Sequence, residues 1–163
     1  MKAAIISIGD ELLIGQVINT NAAFIAERLN TAGIEVLRIV TVADEMEDIL
    51  ATLREEYDRH DVLIVTGGLG PTHDDVTRGA ICKFFQTELA PNPEARAAIE
   101  EYLRTRNAPW TEAAEDQTLF PIGATVIPNR NGTAPGEIFV RDGKHLIVMP
   151  GVPSEMEAMM NDV

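Results

Sequence analysis

The sequence predicts an α/β protein built on a mostly parallel sheet with helices on both faces. Three observations lead there. Short, nearly continuous apolar runs alternate with segments of helical periodicity. The polar and Gly/Pro-rich stretches follow the apolar runs, as ligand loops do in open α/β sheets. Near the end, two apolar runs flank Asp142–Gly143, a dipeptide suited to a two-residue type I′ turn, which adds a C-terminal β-hairpin.

The first strand is the run "KAAIISI", residues 2–8. A helix over 22–32 follows, capped by Asn21, with Phe24, Ile25 and Leu29 on one face and Gly33 placed to end it. Residues 34–42 form the second strand. Asp44 stands where it caps a helix over 45–60, in which Met46, Ile49, Leu50, Leu53 and Tyr57 recur at helical spacing. "DVLIVT" is the third strand and 75–85 the third helix. The alternation then loosens. Residues 90–107 read as a charged helix started near Pro93, 111–120 as a shorter helical piece, and 124–129 as a short strand. The hairpin spans 136–151. A last helix starts at Pro153, with Glu155 and Glu157 near its positive end.

Composition bounds the function. The chain has 163 residues, enough for one domain with a sizeable core, and 45% of them are hydrophobic. No run approaches the length of a membrane span, and the start lacks the pattern of a signal peptide. Cys82 is the single cysteine; it reads as a small buried hydrophobe, and a reducing cytoplasm is the expected home. The formal charge of −13 argues against nucleic acid as a partner. It also means that an anionic small ligand must be held by backbone N–H groups, helix N-termini or a cation.

The chemistry concentrates in four loops that follow strands. "TGGLGPTHDDVT" holds Thr66, Gly67, Gly68, Gly70, Pro71 and Thr77. Its glycines let the main chain approach a phosphate and form a nest of N–H groups. A tight strand-to-helix turn also accounts for them, and no Gly-Lys-Ser/Thr follows, so this is not a Walker A loop. Asp74 and Asp75 beside such a nest suit a hard divalent cation (Mg²⁺, Mn²⁺ or Co²⁺), which takes one or two carboxylates plus phosphate oxygens. Asp10, Glu11 and Asp44 follow neighbouring strands and can add to the same site, although a cap or a solvated loop explains each alone equally well. Gly9 opens the first of these loops. Asn19 and Asn21 offer amides for a base or sugar. Thr133 lies in "NRNGTAPG", which reads as a turn or a binding loop. Pro150, Gly151, Pro153 and Ser154 form a rigid turn before the last helix. His60 and His145 read as solvated surface, His73 as a minor candidate, and no serine has a visible histidine partner for a nucleophilic triad. Gly68→Val is expected to abolish ligand binding with little loss of fold.

These motifs resemble a known family. "TGGLGPTHDDVT" followed by "PGVPSEM" is similar to the MoaB/MogA-like molybdopterin-binding domain, and "GDELLIG", "NTN" and "NGTAPG" narrow the likeness to the N-terminal domain of the CinA (competence/damage-inducible) family. The resemblance covers nearly the whole chain. It implies a three-layer α/β/α sandwich, a homo-oligomer (dimer or trimer), and an essential acidic pair at Asp44 and Asp75. It further implies metal-dependent hydrolysis of the diphosphate of ADP-ribose or a related nucleotide, making the chain a nucleotide pyrophosphatase. The alternatives are a pterin-binding or adenylyltransferase-type domain of molybdenum-cofactor biosynthesis, and a non-catalytic nucleotide-binding module. The larger CinA-type plan implies that this single domain, 1–163, is a stand-alone unit or a piece of a longer chain.

Overall fold

The computed structural model describes residues 1–70 and 76–163; the sequence-based assignments at Pro71, His73, Asp74 and Asp75 lie outside the described residues. Its centre is a six-stranded sheet. The strands are β1 (Lys2–Ile8), β2 (Glu35–Val42), β3 (Val62–Thr66), β6 (Thr125–Ile127), β7 (Gly136–Arg141) and β8 (Lys144–Met149), in the spatial order β2-β1-β3-β8-β7-β6. The first four strands in that order are parallel, while β7 and β6 run antiparallel to their neighbours. Asp142 and Gly143 both take positive φ, 55° and 76°, as the type I′ turn between β7 and β8 requires.

The sheet carries helices on both faces, giving three layers. Along β1 successive side chains point to opposite faces, and both are buried: Ala4, Ile6 and Ile8 join one core, Ala3 and Ile5 the other. The first core is closed by α3 (Met46–Arg59) and α4 (Val76–Phe85), through Ile49, Leu50, Leu53, Ala80 and Ile81. The second is closed by α2 (Thr20–Thr31) and α7 (Pro153–Met159), through Ala22, Ile25, Leu29, Met156 and Met159. The short helix α1 (Asp10–Leu13) follows β1 directly. The remaining elements are α5 (Pro93–Thr105), α6 (Glu112–Asp116) and a separate antiparallel pair, β4 (Leu89–Pro91) and β5 (Leu119–Pro121).

Several local expectations are corrected. Asn19, not Asn21, caps α2: its side chain accepts the N–H of Ala22 at 3.1 Å. Gly33 follows the helix with φ 77°, as expected. Asp44 does not cap α3; Glu45 holds that position and no side chain bonds the free N–H groups. The helical piece expected over 111–120 ends at Asp116, and its apolar tail pairs as β5. His60 is 4% exposed rather than solvated, its ring held against the carbonyl and carboxylate of Glu56 one turn earlier. His145 and Cys82 are half-buried. Trp110 is exposed, but its edge is occupied within the chain: Nε1 donates to Glu115 at 2.9 Å and Arg96 lies over the ring.

Candidate functional site

A cleft of about 480 Å³ opens beyond the carboxyl ends of β1, β3 and β8. This is where an open parallel sheet places ligands, and the volume suits a drug-sized molecule. Strands β1 and β3 pair Ser7 with Thr66, and β3 and β8 pair Thr66 with Met149, so three chain segments leave the sheet side by side. Gly9, Glu11, Asn19, Asn21, Asp44, Thr66, Gly67, Gly68, Gly70, Thr133, Pro150, Gly151 and Pro153 all line the cleft. Residues chosen from separate loops thus meet on one surface.

The Gly-rich turn is shaped from behind. Gly67 has φ 101°, and a β-carbon there would run into the Ile8 carbonyl oxygen. Gly68 has φ 66°, and a β-carbon would occupy the place of the Thr77 hydroxyl. Packing therefore demands both glycines, whatever a ligand adds, and the expectation that Gly68→Val spares the fold does not hold. The Gly67 N–H is spent on the Met149 carbonyl at 3.2 Å. Among the described residues, no hydrogen bond takes the N–H of Gly68, Leu69 or Gly70, so the donors left for an anion begin at Gly68.

Three other expected residues stand off the cleft wall. Thr77 is fully buried behind Gly68, its hydroxyl without a hydrogen-bond partner among the described residues. Asp10 sits beside Asp44, accepting the Asp44 N–H at 3.2 Å. Ser154 is exposed outside the lining and uses its carbonyl to accept from the Asn131 amide at 2.7 Å. On the other side of the cleft the amides organise the backbone. Asn19 donates to Ser7 Oγ at 2.9 Å, and Asn21 donates to the Gly151 carbonyl at 2.8 Å.

The electrostatics are one-sided. Glu11, Asp44 and Glu155 line the cleft, and no Lys or Arg among the described residues does. Burial raises the Asp44 carboxyl above the usual range, and the negative charges of Asp10, Glu11 and Glu45 push it further up. Among the described residues no group of three or more His, Cys, Asp or Glu forms a ready-made metal cage. A hard cation that keeps its waters and takes few protein ligands would have the lining carboxylates of Asp44 and Glu11 to hold it.

Two features of the cleft carry no signal in the sequence. Glu155 looks there like a charge favourable to a helix start, yet it lines the cleft. The apolar wall of Leu12, Val17, Ile18 and Val152 gave no signal, because apolar residues in a loop carry no period.

Residues 4–163 match the family described as "Probable molybdopterin binding domain". A CinA-like protein of Chlorobaculum tepidum is 48% identical over 164 residues, covering 98% of this chain and 39% of that protein. The crystal structure of CinA from Thermoplasma acidophilum superposes with a TM-score of 0.88 at 36% identity, covering 99% of this chain and 94% of that one. The chain belongs to the CinA-like branch of this family. MoaB of Pyrococcus furiosus, described as a tungsten cofactor synthesizing protein, shares the fold at a TM-score of 0.66 and 20% identity, over 99% of this chain and 88% of that one. This CinA-like domain spans 39% of the Chlorobaculum protein and 60% of a 46%-identical protein from Pyrobaculum aerophilum. No helix among the described residues is long and apolar enough to cross a membrane.

Proposed function

We propose that the cleft binds a small phosphorylated heterocycle, with a pterin of the molybdopterin type as the first candidate. The observation that carries this reading is the family match over residues 4–163, joined to a cleft whose turn presents three N–H groups without an acceptor among the described residues, beside the carboxylates of Glu11 and Asp44. In this reading the N–H groups of Gly68, Leu69 and Gly70 hold the anionic end. Asn19 and Asn21 hold the walls in place, and the apolar wall at Val17 and Ile18 packs against the ring. A divalent cation bound by Asp44 and Glu11 would neutralise phosphate charge that no Lys or Arg among the described lining residues meets.

A second reading is hydrolysis of the diphosphate of ADP-ribose or a similar nucleotide. Its support is the crowding of Asp10, Glu11 and Asp44 next to the free amides, an arrangement suited to a cation beside a diphosphate. Assembly as a dimer or trimer is part of the proposal and is read by light scattering.

The test uses the purified chain with Mg²⁺, Mn²⁺ or Co²⁺. Binding of a pterin, followed by its fluorescence, with no AMP released from ADP-ribose, supports the first reading. Release of AMP that depends on the cation and on Asp44 supports the second. Failure to bind either compound sinks both.

A further inference from the structure

Among the described residues no Lys, Arg or His pairs with the Glu155 carboxylate, and one neutral donor reaches it: Asn129 Nδ2 donates to Oε2 at 2.6 Å. The amide is fixed in that role. Its other N–H goes to the Ala134 carbonyl at 2.9 Å and its Oδ1 accepts the Asn131 N–H at 3.0 Å, and the residue itself is buried. Behind the carboxylate the chain passes so closely that a β-carbon on Gly132 would overlap it. The carboxylate is thus clamped by a loop and a side chain, while no hydrogen bond among the described residues takes Oε1. Burial raises the Glu155 carboxyl above its ordinary range, against the opposing pull of the Asn129 bond. A half-buried acceptor left short of donors costs stability unless a ligand supplies them.

The cleft therefore carries two chemically distinct groups. Among the described residues the N–H groups of Gly68, Leu69 and Gly70 have no acceptor, and Glu155 is an acceptor short of donors; all of them line the same cleft. We infer that Glu155 reads an edge carrying two adjacent N–H donors, the 2-amino-4-oxopyrimidine edge shared by pterins and guanine. On that edge a ring N–H and an exocyclic amino group lie side by side and match the two oxygens of a carboxylate, or one oxygen twice. Adenine offers an amino group beside a ring acceptor, which faces a carboxylate with repulsion on one side. The inference rests on the reading of the cleft as a site for phosphorylated heterocycles, and it names which heterocycle the site prefers.

The test measures affinities of the whole chain, with Mg²⁺, for 6-hydroxymethylpterin phosphate, GMP and AMP. Thermal melts accompany each variant. The parent is expected to bind the pterin and GMP at least about tenfold more tightly than AMP, since a bidentate edge contact discriminates by about 10- to 100-fold. The ratio of the pterin to GMP then tells which source of the edge the cleft takes. Glu155→Gln replaces one acceptor with a donor; it is expected to lose that preference and leave AMP within about twofold. Gly132→Ala displaces the carboxylate without removing it and is expected to lose the preference in part, which separates the contact from any folding defect in the first variant. A parent that prefers AMP, or binds all three alike with Glu155→Gln unchanged, overturns the inference and leaves the site intact. A parent that binds none of the three overturns the site as well.

Discussion

At the scale of single residues, charge and space pull in different directions. Asp44 is held above its unfolded pKa by burial and by three neighbouring carboxylates. A raised carboxyl stabilises the fold below the unfolded value and loses that contribution as pH rises through the folded one. At neutral pH its ionised form is therefore a cost to the fold. Asp44→Asn is expected to melt no lower than the parent at pH 7, with the difference vanishing in acid, while cation-dependent ligand binding falls. A marked drop in melting temperature at pH 7 would count against this account. Gly68→Val acts in the opposite sense. It forces a branched side chain into positive φ and onto the buried Thr77, so it is expected to cost more than about 1 kcal/mol by denaturant titration, in addition to any binding defect. The glycines are visible in the sequence but their reason is not, because the close approaches to Ile8 and Thr77 exist only once the chain folds. The sequence likewise points to Asn21 as the cap of α2, two residues beyond Asn19. The helix takes Asn19, and Asn21 becomes a tie to Gly151.

At the scale of elements, the long apolar runs were readable because β1, β3 and β8 are buried on both faces, which leaves no polar alternation to confuse with a helix. Elements of three residues were not. Neither β4 nor β5 is long enough to show a period, and their pairing joins segments that flank α5 and α6. The end of α3 shows a related gap. Glu56 and His60 stand at i and i+4, a visible pair, but their burial comes from the sheet beneath. Glu56 is 1% exposed and meets Arg38 of β2 at 3.0 Å. Arg38, itself 43% exposed, faces this buried carboxylate together with the His60 ring, so Arg38→Met is expected to destabilise by less than the roughly 3–5 kcal/mol typical of a fully buried broken pair. Glu56→Gln in the same background is expected to restore part of the loss, and a double-mutant cycle checks it. No restoration would mean that Arg38 acts through its contacts with Glu55 alone.

At the scale of the molecule, a net charge of −13 surrounds a cleft whose described lining holds carboxylates and no basic side chain. An anionic ligand approaches against that field. Without a divalent cation, its affinity is expected to rise as salt is added from about 10 mM to 150 mM, because the screening length falls from roughly 30 Å to 8 Å. With the cation present the trend is expected to flatten or reverse, and calorimetry at the two ionic strengths tells the cases apart. The pairing of β3 with β8 has a consequence in time as well. Thr66 ends one strand early in the chain and pairs with Met149 near its end, and the Gly67 N–H waits for that same residue's carbonyl. Contacts so distant in sequence close late, after the local helices and the β1–β2 pair have formed. A growing chain thus exposes its Gly-rich turn long before the neighbour that fixes it exists. In refolding, ligand-linked fluorescence is expected to appear with the slowest phase, after the helical signal has recovered. The capacity to bind becomes a report that the final strand has docked.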